Sequence, residues 1–169
     1  MDSVEQLFRR HYAFVCDVIF SYVRDRSRTE DIAQELFAEL WAKKEQLHIH
    51  TSAPAYLRRM AVSRALNYIR DSKKHKWEEL DMMAEPGPGL ASVPPDGLQS
   101  LEEAGLQQRV NQAIEALPDK CRTVFLLNRR EEMSYAEVAS ELGISVKTVE
   151  NQIGKALRLL RIAVYSHRG

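Results

Sequence analysis

The sequence predicts an all-α protein of two small helical domains joined by a flexible acidic linker, with a helix-turn-helix in the C-terminal domain. Apolar residues recur at spacings of three and four through most of the chain. No segment alternates in the manner of a β-strand, and Pro and Gly cluster in one stretch. We therefore expect residues 1–76 to form the first domain, residues 77–99 the linker and residues 100–169 the second domain.

The composition narrows the classes of protein to which the chain can belong. Hydrophobic residues make up 44% of its 169 residues, which is enough for packed cores. No run approaches the roughly 18 apolar residues of a membrane span, and the N-terminus lacks a signal-peptide core. Cys16 and Cys121 are isolated, and His48 with His50 makes a poor metal site. We therefore expect a cytoplasmic protein with buried free thiols and without membrane insertion, metal or cofactor.

The formal net charge of zero hides three charged segments. Residues 56–76 carry seven Lys or Arg against one acid, and residues 146–169 carry five against one. Between them, residues 77–104 hold seven acids and no Lys or Arg. A charge run alone is usually a solvated face. Two basic segments on predicted helices, separated by an acidic one, indicate two contacts with a polyanion.

Two amphipathic helices are predicted before residue 43. The first covers residues 4–23, and a capping box of Ser27 and Glu30 is predicted to open the second. The second helix has a broad apolar stripe of Ile32, Leu36, Phe37, Leu40 and Trp41. Its other side is acidic and amide-bearing, with Asp31, Gln34, Glu35 and Glu39. Periodicity alone favours an ordinary solvated surface for this side.

A loop over residues 43–54 is predicted to precede a third helix, which Pro54 can start. The apolar positions of this helix are Leu57, Met60, Ala61, Ala65, Leu66 and Ile69. Its other faces carry cations, an amide, a hydroxyl and an aromatic ring, on Tyr56, Arg58, Arg59, Ser63, Arg64, Asn67 and Arg70. These groups suit phosphate contacts, hydrogen bonds to base edges and stacking on an unpaired base.

Residues 134–161 show the pattern of a helix-turn-helix. Ser134 and Glu137 form a capping box, Gly143 stands where a helix end requires positive φ, and Ser145 can cap the second helix. Ala139 is small where the two helices would cross. The apolar stripe of the second helix is Val149, Ile153, Leu157 and Leu160. An ordinary αα-hairpin is the alternative, but the small crossing residue and the basic second helix favour DNA binding.

Upstream of this motif, a helix opened by a capping box of Ser100 and Glu103 and another starting at Pro118 are predicted. In the motif itself, the N-terminal turns of the second helix face the base edges of the major groove. The candidate DNA-binding residues there are Lys147, Thr148, Glu150, Asn151, Lys155 and Arg158. Glu150 can accept a hydrogen bond from cytosine and Asn151 can pair with adenine, whereas Lys155 and Arg158 suit the phosphate backbone.

Three blocks of the sequence, taken in order, resemble bacterial sigma factors of the extracytoplasmic-function (ECF) type. The helix that in this family binds core polymerase is similar to EDIAQELFAELW, and the promoter-melting helix to YLRRMAVSRALNYIR. The C-terminal domain of the family is similar to ALPDKCRTVFLLNRREEMSYAEVASELGISVKTVENQIGKALRLLR. The chain departs from the family pattern in having Ser63 in place of Asn, Asn67 in place of Asp and Gln152 in place of Arg.

The resemblance implies a function and partners for these blocks. Asp31, Gln34, Glu35 and Trp41 match the surface that docks on core RNA polymerase. The basic helix over residues 56–70 matches the part that opens the −10 element, and the helix from residue 146 matches the reader of the −35 element of promoter DNA. The acidic linker resembles the family segment that threads toward the RNA channel. A separate anti-sigma factor, often membrane-tethered, is implied as the control.

Two alternatives account for less of the chain. A dimeric helix-turn-helix regulator acting without polymerase would explain residues 134–161, but it gives no reason for the basic N-terminal helix or the acidic segment. A helical adaptor that binds only protein leaves the basic second helix of the motif unexplained. An enzyme is disfavoured because no Ser/His/Asp set, metal cluster or phosphate loop is evident.

Overall fold

The structure is a computed structural model that describes residues 3–82 and 104–165, with side chains for residues 3–71 and 105–165. Within these ranges the regular structure consists of seven α-helices and one turn of 3-10 helix. The helices are α1 (Val4–Val23), α2 (Arg26–Ala42), α3 (Ala53–Met82), α4 (Ala104–Glu115), α5 (Asp119–Arg129), α6 (Tyr135–Leu142) and α7 (Val146–Tyr165). The all-α prediction is confirmed. The chain divides into two compact units, Met1–Lys74 and His75–Gly169.

Side-chain caps set the starts of the first two helices. Ser3 and Gln6 form a capping box at α1: the Gln6 amide donates to Ser3 Oγ at 3.2 Å, and the Ser3 amide to Gln6 Oε1 at 2.9 Å. At α2 the cap is Asp25, whose Oδ1 accepts from the Arg28 amide at 3.0 Å. The predicted capping box of Ser27 and Glu30 is therefore wrong. Arg24 ends α1 in the left-handed region (φ 59°) and leaves Asp25 extended, so the next helix has already begun at Arg26.

The third helix begins where the sequence predicts and ends later. Ser52 Oγ accepts from the Ala55 amide at 3.2 Å, so α3 starts at Ala53 with Pro54 in its first turn. The helix then continues to Met82, through residues 77–82 that were predicted to begin the linker. Good helix formers fill that stretch, and the first Pro after it is Pro86. The predicted capping box of Ser100 and Glu103 lies outside the described residues.

The core of the first unit is built from one face of each of its three helices. Its largest fully buried side chains are Leu7 and Ile19 of α1, Leu36 and Leu40 of α2, and Leu57 and Leu66 of α3. Each such side chain contributes about 1.5–3 kcal/mol relative to an exposed one. The opposite faces of α2 and α3 therefore do not pack in this core.

The second unit packs α4, α5 and α6 against α7. Val124 and Leu127 of α5 are fully buried, and Cys121 at the start of that helix donates from Sγ to the Gln152 carbonyl oxygen of α7 at 3.4 Å. Burial raises the pKa of the Cys121 thiol to about 11, so it stays protonated and acts as a core side chain. Cys16, the other free cysteine, is half-buried.

Arg122 is a buried cation that the sequence did not point to. Its guanidinium donates to the carbonyl oxygens of Glu115 at 3.2 Å and Leu117 at 2.7 Å, and it pairs with Asp119 at 2.6 Å. These carbonyls belong to the end of α4 and the turn after it, where helical partners run out. Arg122 therefore joins the end of α4 to the start of α5.

Candidate docking and nucleic-acid surfaces

The acidic face of α2 is exposed, as the sequence predicts. Asp31, Gln34 and Glu35 are exposed, while Ile32 and Leu36 between them are buried. Burial and the neighbouring Cys16 thiol raise the pKa of Tyr12 on α1, and a hydrogen bond with Gln34 opposes part of that rise. The face therefore offers two carboxylates and an amide to a partner.

Trp41 lies on the surface and not in the apolar stripe to which the sequence assigned it. It is 54% exposed, and Lys44 Nζ lies 4.8 Å from its ring centroid in the following 3-10 turn. The stripe prediction is wrong for this residue because the core side of α2 ends at Leu40, which is 2% exposed. Trp is enriched among the residues that contribute most to binding in protein interfaces, so this ring is a candidate contact residue.

A groove of about 470 Å³ runs between α2 and α3. It brings the predicted docking residues of α2 together with residues of α3. Its lining is Arg28, Asp31, Ile32, Gln34, Glu35, Arg64, Asn67 and Tyr68. The docking face and the predicted melting helix therefore share one edge.

The outward face of α3 carries five of the predicted −10 residues. Arg59, Ser63 and Asn67 are exposed and recur every four residues, so they share one face. Arg70, which is half-buried, donates from Nη2 to Asn67 Oδ1 on the preceding turn. Tyr56, half-buried, lies at the N-terminal end of the same face. Cation, hydroxyl, amide and ring thus follow one another along the helix surface.

Two of the predicted −10 residues lie off this face. Arg58 is half-buried and stands three residues before Ala61 and seven before Ala65, both fully buried, so it lies on the core side of α3. Arg64 is turned toward α2, where it forms an ion pair with Glu39. The spacing of polar residues did not separate these two arginines from the outward ones.

The helix-turn-helix is formed by α6, the turn over residues 143–145 and α7. Ser134 Oγ accepts from the Glu137 amide at 3.1 Å, and Glu137 Oε1 accepts from the Ser134 amide at 3.1 Å. Gly143 has φ 69° and ψ 36°, the left-handed conformation that favours glycine. Ser145 Oγ then caps α7 by accepting from the Thr148 amide at 3.1 Å. The motif predicted from the sequence is confirmed in both caps and in the turn.

The predicted −35 residues of α7 differ in exposure. Lys147, Lys155 and Arg158 are exposed, and Glu150 and Asn151 are half-exposed. Thr148 is 1% exposed, and its Oγ1 lies 2.9 Å from Ser145 Oγ inside the capped turn. Its inclusion among DNA-binding residues is therefore corrected: the cap draws this hydroxyl inward, away from any groove.

Comparison with known families gives two matches that follow the two units. Residues 7–75 match Sigma-70 region 2, and residues 107–160 match Sigma-70, region 4. The ECF RNA polymerase sigma factor SigW of Bacillus subtilis is 31% identical over 139 residues, covering 78% of this chain and 73% of SigW. The chain belongs to the ECF sigma factors. As a sigma factor it directs transcription to promoters, which confirms the family and function predicted from the sequence.

Two further bacterial sigma factors match most of this chain in sequence. The RNA polymerase sigma factor YlaC of Bacillus subtilis is 25% identical over 92% of this chain and 88% of its own length. The ECF sigma factor SigK of Mycobacterium tuberculosis is 29% identical over 87% and 78%. A co-crystal structure of the sigma factor RpoE with the anti-sigma factor NepR from Bartonella quintana aligns with a TM-score of 0.48 at 17% identity, covering 97% and 98% of the two chains.

Some residues of the sigma factor surfaces were missed by sequence reasoning. Arg28 and Tyr68 line the groove, and Glu39 bridges the two helices, yet none was assigned a task. The sequence could have indicated Tyr68, because it follows Arg64 by four residues on the flank between the buried and exposed stripes of α3. Within the described ranges, no helix is long and apolar enough to cross a membrane, and no three His, Cys, Asp or Glu gather as a metal site.

Proposed function

We propose that this ECF sigma factor divides its work among three surfaces on two units. The exposed face of α2, with Asp31, Gln34, Glu35 and Trp41, docks on core RNA polymerase. The outward face of α3, with Tyr56, Arg59, Ser63, Asn67 and Arg70, contacts and opens the −10 element. The exposed side of α7, with Lys147, Glu150, Asn151, Lys155 and Arg158, lies in the major groove at the −35 element.

One observation carries the proposal: a single compact unit presents a carboxylate-bearing face on α2 beside a cationic face on α3. The core of that unit needs neither face, because its buried side chains come from the opposite sides of both helices. An acidic surface repels DNA and suits a basic protein partner, whereas exposed Arg59 suits phosphate. A protein that joins polymerase to DNA requires such a pair of surfaces.

The arrangement also supports a separate control. We infer that an anti-sigma factor holds this protein in the cytoplasm by covering the α2 face or the DNA faces. The exposed Trp41 and the groove beside it would supply an anchor and a cleft for either partner. Polymerase and the anti-sigma factor would then compete for one surface.

The proposal is tested by transcription with purified components. Core RNA polymerase, the full chain and a library of promoter fragments are mixed, and the 5′ ends of the transcripts are sequenced. We expect transcripts that require the protein and share a −35 and a −10 element. Sequence-specific binding by the protein alone as a dimer, without any new transcript, would instead favour a regulator that acts outside polymerase.

A further inference from the structure

The ion pair between Glu39 of α2 and Arg64 of α3 lies between the two surfaces of the first unit. Both side chains are partly buried, with 33% and 29% of their surface exposed. Lys43, whose Nζ also lies 3.0 Å from Glu39 Oε1, is 62% exposed. A partly buried pair is screened less by salt than a surface pair, so Glu39–Arg64 is the stronger of the two contacts.

The position of Arg64 on α3 separates it from the outward cations. Arg59 and Ser63 lie on the exposed face and do not line the groove, and Asn67 lies at the border of the two. Arg64 and Tyr68, which are four apart, lie on the flank that lines the groove against α2. To reach a phosphate in front of the outward face, Arg64 would have to leave Glu39. That would leave the partly buried Glu39 carboxylate with only the exposed Lys43 as its counterion.

We propose that Arg64 is a positioning residue that acts through Glu39, and not a DNA contact. The pair fixes the rotation of the melting helix α3 on the docking helix α2. Polymerase held at the α2 face thereby presents Arg59, Ser63 and Asn67 to the −10 element in one orientation. This inference rests on the proposed function, because it assumes that α2 docks and α3 opens DNA.

A positioning role and a phosphate-binding role of Arg64 predict different effects of Glu39→Gln on the rate of open-complex formation. If Arg64 only positions the helix, removing the carboxylate is as harmful as Arg64→Gln, and the double variant is no worse than either single one. We expect each variant to slow open-complex formation about tenfold at saturating polymerase, which corresponds to about 1.4 kcal/mol in the barrier. If Arg64 instead bound a phosphate, Glu39→Gln would release it and leave the rate unchanged or faster.

The measurement is the rate of permanganate reactivity at unpaired thymines, with full-length protein in holoenzyme. Arg59→Gln serves as the matched control, because it removes a cation from the outward face of the same helix. We expect Arg59→Gln to reduce the slope of promoter binding against salt by about one ion, and Arg64→Gln to leave that slope unchanged. A slope change with Arg64→Gln equal to that of Arg59→Gln overturns the inference.

Two further measurements distinguish a loss of folding from a loss of function. Helical circular dichroism and affinity for core polymerase are measured for every variant. Should Glu39→Gln lower helicity, the exchanged variant Glu39→Arg with Arg64→Glu decides: recovery of helicity and opening rate supports the pair, and no recovery overturns it. If wild-type holoenzyme opens no promoter at all, the proposed function has failed, and the effect of the pair on unfolding of the free protein is still measurable.

Discussion

At the scale of the residue, exposure sorts side chains that the sequence placed together. On α7, Glu150 and Asn151 are half-exposed near the start of the helix, Arg158 is exposed two turns later, and Thr148 is buried in the cap. The first two suit base edges, the third suits phosphate, and Thr148 belongs to the turn. We therefore propose three different tasks for these four polar residues of one helix.

Replacing the base-reading residues is expected to change which promoters are used. Asn151→Ala and Glu150→Ala remove a hydrogen-bonding group worth about 1–3 kcal/mol of discrimination between bases, so the preferred −35 sequences should shift. Arg158→Ala is expected to weaken all sequences alike and to reduce the salt dependence. Selection from a promoter library by each holoenzyme at fixed salt makes the comparison. Unchanged preferences in both reading variants would place specificity in DNA shape or in the −10 contacts.

The capping box of α6 gives a pH dependence of known sign. Hydrogen bonds from the backbone and side chain of Ser134 lower the pKa of Glu137 below its ordinary 4.5. The folded state therefore favours the charged carboxylate, and its stabilisation is complete above the unfolded pKa and is lost as the pH falls through the folded pKa.

We expect this loss of stabilisation to lower the melting temperature of the wild type as the pH falls from about 6 to about 3, with unfolding followed by circular dichroism. Glu137→Gln keeps an acceptor for the Ser134 amide and cannot titrate, so it serves as the control. Its melting curve should depend less on acid than that of the wild type. Identical acid dependence of the two proteins would contradict the assignment.

At the scale of the element, α2 is a helix with a buried side and an exposed side that we propose docks on polymerase. The exposed side includes a large aromatic ring, Trp41, at 54% exposure, which is available to a partner. Because Trp41 is not in the core, its removal should cost little stability. It is therefore a cleaner probe of docking than the sequence alone indicated.

Asp31→Ala combined with Gln34→Ala is expected to weaken binding to core polymerase at least tenfold while the helical circular dichroism persists. Trp41→Ala should do the same. Affinity is measured by titrating labelled core polymerase with each full-length variant. Glu5→Ala on α1, which removes an exposed carboxylate that pairs with Arg9 at 2.9 Å, is the control and should bind as the wild type. Equal affinities for all variants would remove α2 from the docking surface.

At the scale of the whole molecule, two units share one chain, and we propose a separate DNA surface on each. Neither basic segment is large, so each unit alone should hold duplex DNA weakly. Joining them raises the effective concentration of the second contact once the first has formed, provided that both sites can be reached together. A zero net charge is compatible with this arrangement, because acids elsewhere in the chain, seven of them in residues 77–104, offset the two basic segments.

Cutting the chain between the units is expected to separate −35 recognition from −10 opening. A protease site is introduced within residues 83–103, and holoenzyme is formed before and after cleavage. Loss of the tether should lower the affinity for a promoter bearing both elements by about 10²-fold or more. A promoter lacking the −35 element should be affected little. Equal promoter affinity before and after cleavage would show that polymerase alone holds the second unit in place.

Although the cap of α2 and the end of α3 could not be predicted from the sequence, the all-helical class, the two caps and the glycine turn of the helix-turn-helix, and the family could all be predicted from it. These features follow from local rules: Ser134 and Glu137 lie three apart, Gly143 takes a backbone conformation that other residues avoid, and apolar residues recur at the helical period. Such signals act within a few residues along the chain, so they can be recognised before the fold is known.

Only the tertiary structure decided what becomes of residues at the margins of the apolar stripes. Trp41 is exposed, Thr148 is buried and Arg64 turns to Glu39, although each lies beside residues with the opposite fate. Helical periodicity fixes the angle at which a side chain leaves its own helix, but a neighbouring helix determines whether that angle meets protein or water. For side chains on the flank of a helix, the outcome depends on where the neighbouring helix lies.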